Sequence, residues 1–221
     1  MIKNLLRGLV PLVLTLTPLL APAPVQAARP LLLPDALGQV QSVQEGNREG
    51  YSRAKFKHWN GGEDSTDGCN TRQEVLISEA VEAPAVGAGC SITGGAWLSY
   101  YDGQQVTSAS ALDIDHMVPL AEAWDSGASA WTAARREAYA NDQKAPVSLV
   151  AVTARTNRSK SDQDPAEWLP PASEQHCRYI SEWVGTKLRW ELTADPTELE
   201  ALKVFADGPC EETIVLVTPA D

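Results

Sequence analysis

The spacing of hydrophobic positions changes several times along the chain, and each change marks an element. From Leu9 to Leu20 they run almost unbroken as "LVPLVLTLTPLL", after a basic start at Lys3 and Arg7 and before "APAPVQAARP", with small residues at Val25 and Ala27. That order of basic, apolar and small residues predicts a secretory signal over residues 1–27. Pro11 and Pro18 interrupt the run, which is shorter than the roughly 20 residues a membrane span needs, and no later segment is long and apolar enough to cross. Residues 28–50 are first proline-broken ("ARPLLLPDALGQV") and then polar ("QSVQEGNREG"), which predicts an N-terminal tether. Residues 51–221 are then left as one domain, long enough to bury a core.

Within that domain the pattern alternates between helix and strand periods. Thr71 to about Glu79 reads as a helix with Val75, Leu76 and Ala80 on its apolar face. "GCSITGGAWLSYYDGQQVTSAS" reads as short strands separated by glycine turns. Ala111, Leu112 and Ile114 predict a short buried strand that leads to Asp115 and His116, and Pro119 stops it. "LAEAWDSGASAWTAARREAYAND" is helical, broken at Ser126-Gly127. Val147, Leu149, Val150 and Val152 predict a second apolar strand, after which Asn157–Asp162 opens a helix or tight loop. Glu174 to Trp190 is amphipathic, with Tyr179, Ile180, Trp183, Val184 and Leu188 near helical spacing. A last helix is expected from Pro196 to Ala206, capped by Asp195. Strands and helices thus mix without a regular alternation, and the fold class expected is α+β.

Charge narrows the functional classes. The formal net charge is -11, and loss of Lys3 and Arg7 with the signal makes it -13. So acidic a surface argues against general, loose binding to nucleic acid, and any contact with DNA or RNA needs a local basic patch or a metal. The four cysteines, Cys69, Cys90, Cys177 and Cys210, all lie in the exported part and are even in number. Disulfides are the natural reading in an oxidising compartment. Of the three possible pairings, the sequence-local one is expected, Cys69–Cys90 and Cys177–Cys210. A four-cysteine zinc site is disfavoured because no C-x-x-C pair is present.

An Asp beside a His extends a hydrophobic strand poorly, but it suits a metal ion and a base at a strand end. "DIDHMVPL" followed by "SLVAVTARTNRSKSD" resembles the two motifs of the HNH endonucleases, a family built on a two-strand, one-helix finger around one divalent metal. "DGCNTRQEVL", "SGASAWTAARREAYAND" and "DPAEWLPP" are similar to segments of a secreted bacterial branch of that family, so the resemblance covers nearly all of the chain after residue 50.

The resemblance implies a ββα-metal finger inside a helical, disulfide-tied domain, with phosphodiester hydrolysis as its activity. His116 would be the general base, since a neutral imidazole can take the proton of a water at ordinary pH. Asp115 and Asn157 would hold the cation, Mg²⁺ in first place given oxygen donors, with Mn²⁺ or Zn²⁺ as alternatives. Lys160, Arg72 and Arg158 are the candidates for phosphate contact. Many family members carry an asparagine just before the second strand's apolar core. Here that position is Ser148, with Asn141 in "YAND" as a further support for the His116 loop. The substrate implied is DNA, with RNA also in range, and the ends implied are 5′-phosphate and 3′-hydroxyl. The rival reading is a secreted binding module with a degenerate, non-catalytic finger, favoured by the acidic charge and Ser148. A hydrolase of another phosphodiester or of a cell-wall polymer ranks last, because Asp-His-Asn is not the paired carboxylates of a glycosidase.

Overall fold

The computed structural model describes residues 28–220, so the expected signal segment lies outside the described residues. In chain order the strands and α-helices are β1 (Arg29–Leu32), α1 (Leu33–Leu37), α2 (Thr71–Ser78), β2 (Ala85–Gly87), β3 (Ser91–Thr93), β4 (Trp97–Ser99), β5 (Gln104–Val106), β6 (Leu112–His116), α3 (Leu120–Asp125), α4 (Ala133–Ala140), β7 (Leu149–Thr153), α5 (Ala154–Lys160), α6 (His176–Trp190), α7 (Pro196–Ala206) and β8 (Ile214–Val217). The strands pair antiparallel as β1–β8, β2–β3, β4–β5 and β6–β7. The class is mixed α+β, tied by disulfides Cys69–Cys90 and Cys177–Cys210.

The expected tether is not one. Residues 29–32 pair with β8 from Arg29↔Val217 to Leu32↔Ile214, and Leu33, Ala36 and Leu37 of α1 are buried in the core. The prolines that suggested a linker fall where they break nothing. Pro30 lies in a strand with a single partner, and Pro34 lies in the first turn of α1, where no backbone N–H is needed.

The β6–β7 hairpin divides two groups of buried side chains. Its register, Leu112↔Thr153 to His116↔Leu149, sets opposite residues on the same face. Leu112, Ile114, Leu149 and Ala151 face a smaller cluster with Val75 and Leu76 of α2 and Trp97 of β4. Val150 and Val152 face the main core, which holds Tyr179, Ile180, Trp183 and Val184 of α6 together with α1 and α7. Burial on both faces explains why β7 reads as an unbroken apolar run. Asp113 and Asp115 pair with Val152 and Val150, so they lie on the face that α5 crosses.

α5 follows β7 without a loop. Its cap is Thr153, whose hydroxyl accepts the N–H of Thr156, so Asn157 is an interior helix residue and not the helix start that was expected. The long segment between β6 and β7 folds as α3 and α4, and the break expected at Ser126-Gly127 falls after Asp125.

Candidate active site

At the end of β6 a cleft of about 410 Å³ opens, lined by Asp115 and His116 from the strand, Asn157 and Arg158 from α5, and Tyr51 and Arg53 from the segment before α2. Because β6 ends at His116, side chains from both of its faces reach this one cleft.

His116 is 5 % exposed. Its Nε2 lies 2.9 Å from the carbonyl oxygen of Ala140. A carbonyl can only accept, so Nε2 carries the hydrogen and Nδ1 keeps its lone pair. The imidazole is stacked on Trp59 (centroids 5.6 Å apart, planes 23° apart) and on Tyr139 (6.3 Å, 20°). Burial pushes its pKa down to about 3. The Ala140 carbonyl opposes that shift, while the positive charges of Arg53, His58 and Lys160 reinforce it. The ring is therefore neutral over the ordinary pH range.

Asp115 accepts two hydrogen bonds at Oδ2, from the Tyr101 hydroxyl at 2.6 Å and from Lys160 Nζ at 2.5 Å. Its Oδ1 accepts none among the described residues. Burial raises the Asp115 pKa, and the Lys160 ammonium and the hydrogen bonds work against the rise. Asn157 donates Nδ2–H to Asp113 Oδ2 at 3.2 Å, which leaves its amide oxygen as an acceptor. The cleft thus offers a carboxylate and an amide oxygen, hard donors of the type that hold Mg²⁺ with waters completing the shell. With no thiolate and with the His116 Nε2–H committed to Ala140, the donor set suits Zn²⁺ less well.

Lys160 does not face the cleft. It is completely buried, and its three N–H donors go to Asp115 Oδ2, His116 O at 3.0 Å and Met117 O at 2.8 Å. The rings of Tyr101, Tyr179 and Trp183 surround the ammonium. An ammonium has three donors, so none is left for a phosphate, and Lys160 is a structural brace under the Asp-His turn. Arg72 is likewise not a cleft residue. Its guanidinium donates to Leu112 O at 2.9 Å and Ala109 O at 3.4 Å, joining α2 to the start of β6. Of the three expected basic contacts only Arg158 lines the cleft, with its side chain 77 % exposed and its Nε 3.8 Å from Asp113.

The two supporting residues act at different points. Ser148 donates its hydroxyl to Asp142 Oδ2 at 2.7 Å, and its carbonyl accepts Met117 N–H at 3.0 Å, which extends the pairing one step past His116. Asp142 is itself held by Arg189 and by the Trp190 indole. Asn141 follows the carbonyl that anchors His116. Its amide group donates to Lys57 O and Glu137 O, each at 2.8 Å, and accepts from Asn60 N–H at 3.0 Å.

Tyr51, Arg53, Trp59, Tyr101 and Asp113 were not anticipated. "YSRAKFKHW" holds the first three, and its aromatic and basic content was the signal available. A second cleft, about 460 Å³, adjoins the first through Asp162 and is lined by Glu45, Glu122, Asp164 and Asp195. Glu45, Asp164 and Asp195 are the one group of three or more acidic, His or Cys side chains gathered closely enough to share a cation among the described residues. Glu45 is pushed up to about 8, first by burial and then by the neighbouring Glu122 carboxylate.

The family model for the C-terminal domain of GmrSD restriction endonucleases matches residues 89–203, which include β6, β7, α5 and every expected site residue except Arg72 and the terminal-side cysteines Cys69 and Cys210. An uncharacterized secreted protein of the fungus Arthroderma benhamiae is 40 % identical over 192 residues, covering 84 % of this chain and 91 % of that protein. The expected bacterial affiliation gains no support from this fungal relative. No solved structure matches the chain. The match spans more than half of the chain and takes in β6, β7 and α5, so the chain belongs to the family of the GmrSD restriction endonuclease C-terminal domain.

Proposed function

We propose that this protein is an exported, metal-dependent HNH endonuclease that hydrolyses phosphodiester bonds of DNA, and of RNA where it fits the cleft. The observation that carries the reading is His116: a neutral imidazole anchored through Nε2–H to Ala140 O, in one cleft with the oxygens of Asp115 and Asn157. Family membership among restriction endonuclease domains supports it.

His116 Nδ1 takes a proton from a water in the cleft as the water's oxygen forms a bond to phosphorus. The bond from phosphorus to the 3′ oxygen breaks, leaving a 5′-phosphate and, after protonation, a 3′-hydroxyl. Asp115 and Asn157 would hold a divalent cation, which when bound supplies charge stabilisation for the phosphate and the leaving oxygen. Arg53 and Arg158 at the cleft mouth neutralise the phosphates of the strand. The low pKa of His116 keeps the base unprotonated, and the negative charge of a bound phosphate strengthens it during the reaction.

Export is supported by the signal-like residues 1–27, by two disulfides of the kind that persist in oxidising compartments, and by the name of the fungal relative. No helix among the described residues is long and apolar enough to cross a membrane.

The test is plasmid cleavage by the oxidised protein lacking residues 1–27, with Mg²⁺, with Mn²⁺, with EDTA, and with His116→Ala alongside. Metal-dependent nicking that is lost in His116→Ala is the result expected. A folded protein that binds nucleic acid yet cuts neither DNA nor RNA under any metal would replace this reading with that of a binding module.

A further inference from the structure

Trp59 plays no part in the chemistry above, yet its backbone and its surroundings are unusual. It has φ 59°, in the left-handed region that a bulky aromatic residue rarely occupies. Such conformations persist only where neighbouring structure over-determines them. Here the neighbours do so on both sides. Asn141 Nδ2 donates to Lys57 O, Asn141 Oδ1 accepts Asn60 N–H, and Thr71 N–H donates to Asn60 O at 3.1 Å. The Thr71 hydroxyl lies 2.9 Å from the side-chain oxygens of both Asn60 and Asn141.

The residue that fixes the Trp59 loop is thus the one directly after Ala140, whose carbonyl fixes the edge of His116. One dipeptide, Ala140-Asn141, sets both the imidazole and the indole that lies on it. A single hydrogen bond at Nε2 leaves the imidazole free to swing about the Nε2···O line, which would carry Nδ1 out of the cleft. Two flat faces remove that freedom. Tyr139 is one, itself packed against Phe56, Trp131 and Trp190. Trp59 is the other and the nearer, its ring centroid 5.6 Å from that of the imidazole and the planes 23° apart.

We propose that Trp59 is a positioning residue for the reaction, its indole stacked on His116 so that the imidazole plane is fixed with Nδ1 toward the cleft. This rests on the reading of His116 as the base. The strained backbone at Trp59 is then the means by which a loop residue is laid flat on a side chain of β6.

The experiment compares Trp59→Phe, which keeps a flat face, with Trp59→Leu, which keeps apolar bulk without one. Steady-state cleavage with saturating Mg²⁺ is measured on the oxidised protein lacking residues 1–27. Trp59→Phe is expected to keep most of the activity. Trp59→Leu is expected to lower kcat by about tenfold or more, since small misplacements of reacting groups carry large rate penalties, with KM changed by less than about twofold. Imidazole ¹H–¹³C spectra give a readout independent of cleavage. The chain has three histidines, and the His116 signal is assigned by its loss in His116→Ala. It should move in Trp59→Leu as the ring current of the indole is lost, while that of His176, packed on Phe205, stays in place. Equal kcat in the Phe and Leu variants, or an unmoved His116 signal in Trp59→Leu, overturns the proposal. If wild type does not cleave at all, the reading of His116 as a base fails, and the His116 signal still decides whether the indole stacks on the ring.

Discussion

Lys160 Nζ lies 2.5 Å from Asp115 Oδ2, and both side chains are sealed from solvent. The lysine that looks like a phosphate contact in "NRSKSD" is instead the brace that lets a carboxylate sit at the end of a buried strand. Lys160→Met keeps the apolar stem but leaves Asp115 uncompensated and two carbonyls unpaired. The expected loss of stability is about 3–5 kcal/mol, the range for breaking one side of a buried pair. Urea unfolding measures it, and Lys160→Met/Asp115→Asn should recover part of the loss because the two sites couple. A Lys160→Met midpoint equal to that of wild type would mean that the brace contributes nothing.

The three arginines near the site separate by what they touch. Arg53 and Arg158 line the cleft, and Arg72 is tied to the carbonyls of Ala109 and Leu112. Arg53→Ala and Arg158→Ala should each weaken binding to a DNA oligonucleotide and reduce the slope of log affinity against log salt by about 1, with stability changed by no more than about 0.5 kcal/mol. Arg72→Ala should leave the salt slope unchanged and lower stability through the lost link between α2 and β6. Fluorescence anisotropy over a salt series, on a His116→Ala background that does not cut, reads the slope. An Arg72→Ala slope reduced as much as that of Arg158→Ala would return Arg72 to the cleft.

The strands of the hairpin, the two long C-terminal helices and the disulfide pairing were legible because each has a local signal. Alternation and apolar runs give β6 and β7, helical spacing gives α6, an Asp before a Pro gives α7, and proximity in sequence pairs the cysteines. What was not legible depends on partners distant in the chain. "RPLLLPDAL" reads as a linker until Ile214–Val217 pairs with it. Lys160 and Arg158 are two positions apart in a basic run, but two positions is nearly opposite on a helix, so one enters the core and the other faces solvent. Trp59 sits far from His116 in sequence, and nothing in "FKHW" announces a left-handed residue held by Asn141.

Three groups predict an opposed pH response. The folded pKa of Glu45 is pushed up to about 8 and that of Glu79 to about 7, in both cases chiefly by burial. A raised carboxylate favours the folded state below its ordinary value of 4.5, and that contribution is lost as pH rises through 7 to 8. His116 works in the other direction. Its pKa is depressed from 6.5 to about 3, so its contribution is present above 6.5 and is lost as pH falls toward 3. Stability should therefore pass through a maximum on the acid side of neutrality. Glu45→Gln and Glu79→Gln should each gain on wild type between pH 5.5 and pH 8.5, read from denaturant midpoints at several pH values. A difference from wild type that does not change with pH would sink this account.

The N-terminal segment gives the sharpest contrast between the reading of the chain and its fold. If residues 28–50 were a tether, a chain beginning at Tyr51 would fold unchanged. In the structure such a chain loses the partner of β8, and it loses Leu33 and Ala36, both fully buried against the main core. The cleft is affected as well, because Arg48 pairs with Asp125 and Asp162, and Asp162 lines the cleft that holds His116. Leu33→Ala should cost about 2–5 kcal/mol, as a large-to-small change in a packed core does, whereas Leu32→Ala, at a position 44 % exposed, should change stability by about 0.5 kcal/mol or less beyond its small share of packing. Thermal unfolding of both variants and of the shortened chain checks this. A cooperative transition at the wild-type temperature in the chain beginning at Tyr51 would make the segment a tether after all. Loss of that transition would make β1 and α1 part of what holds the cleft together.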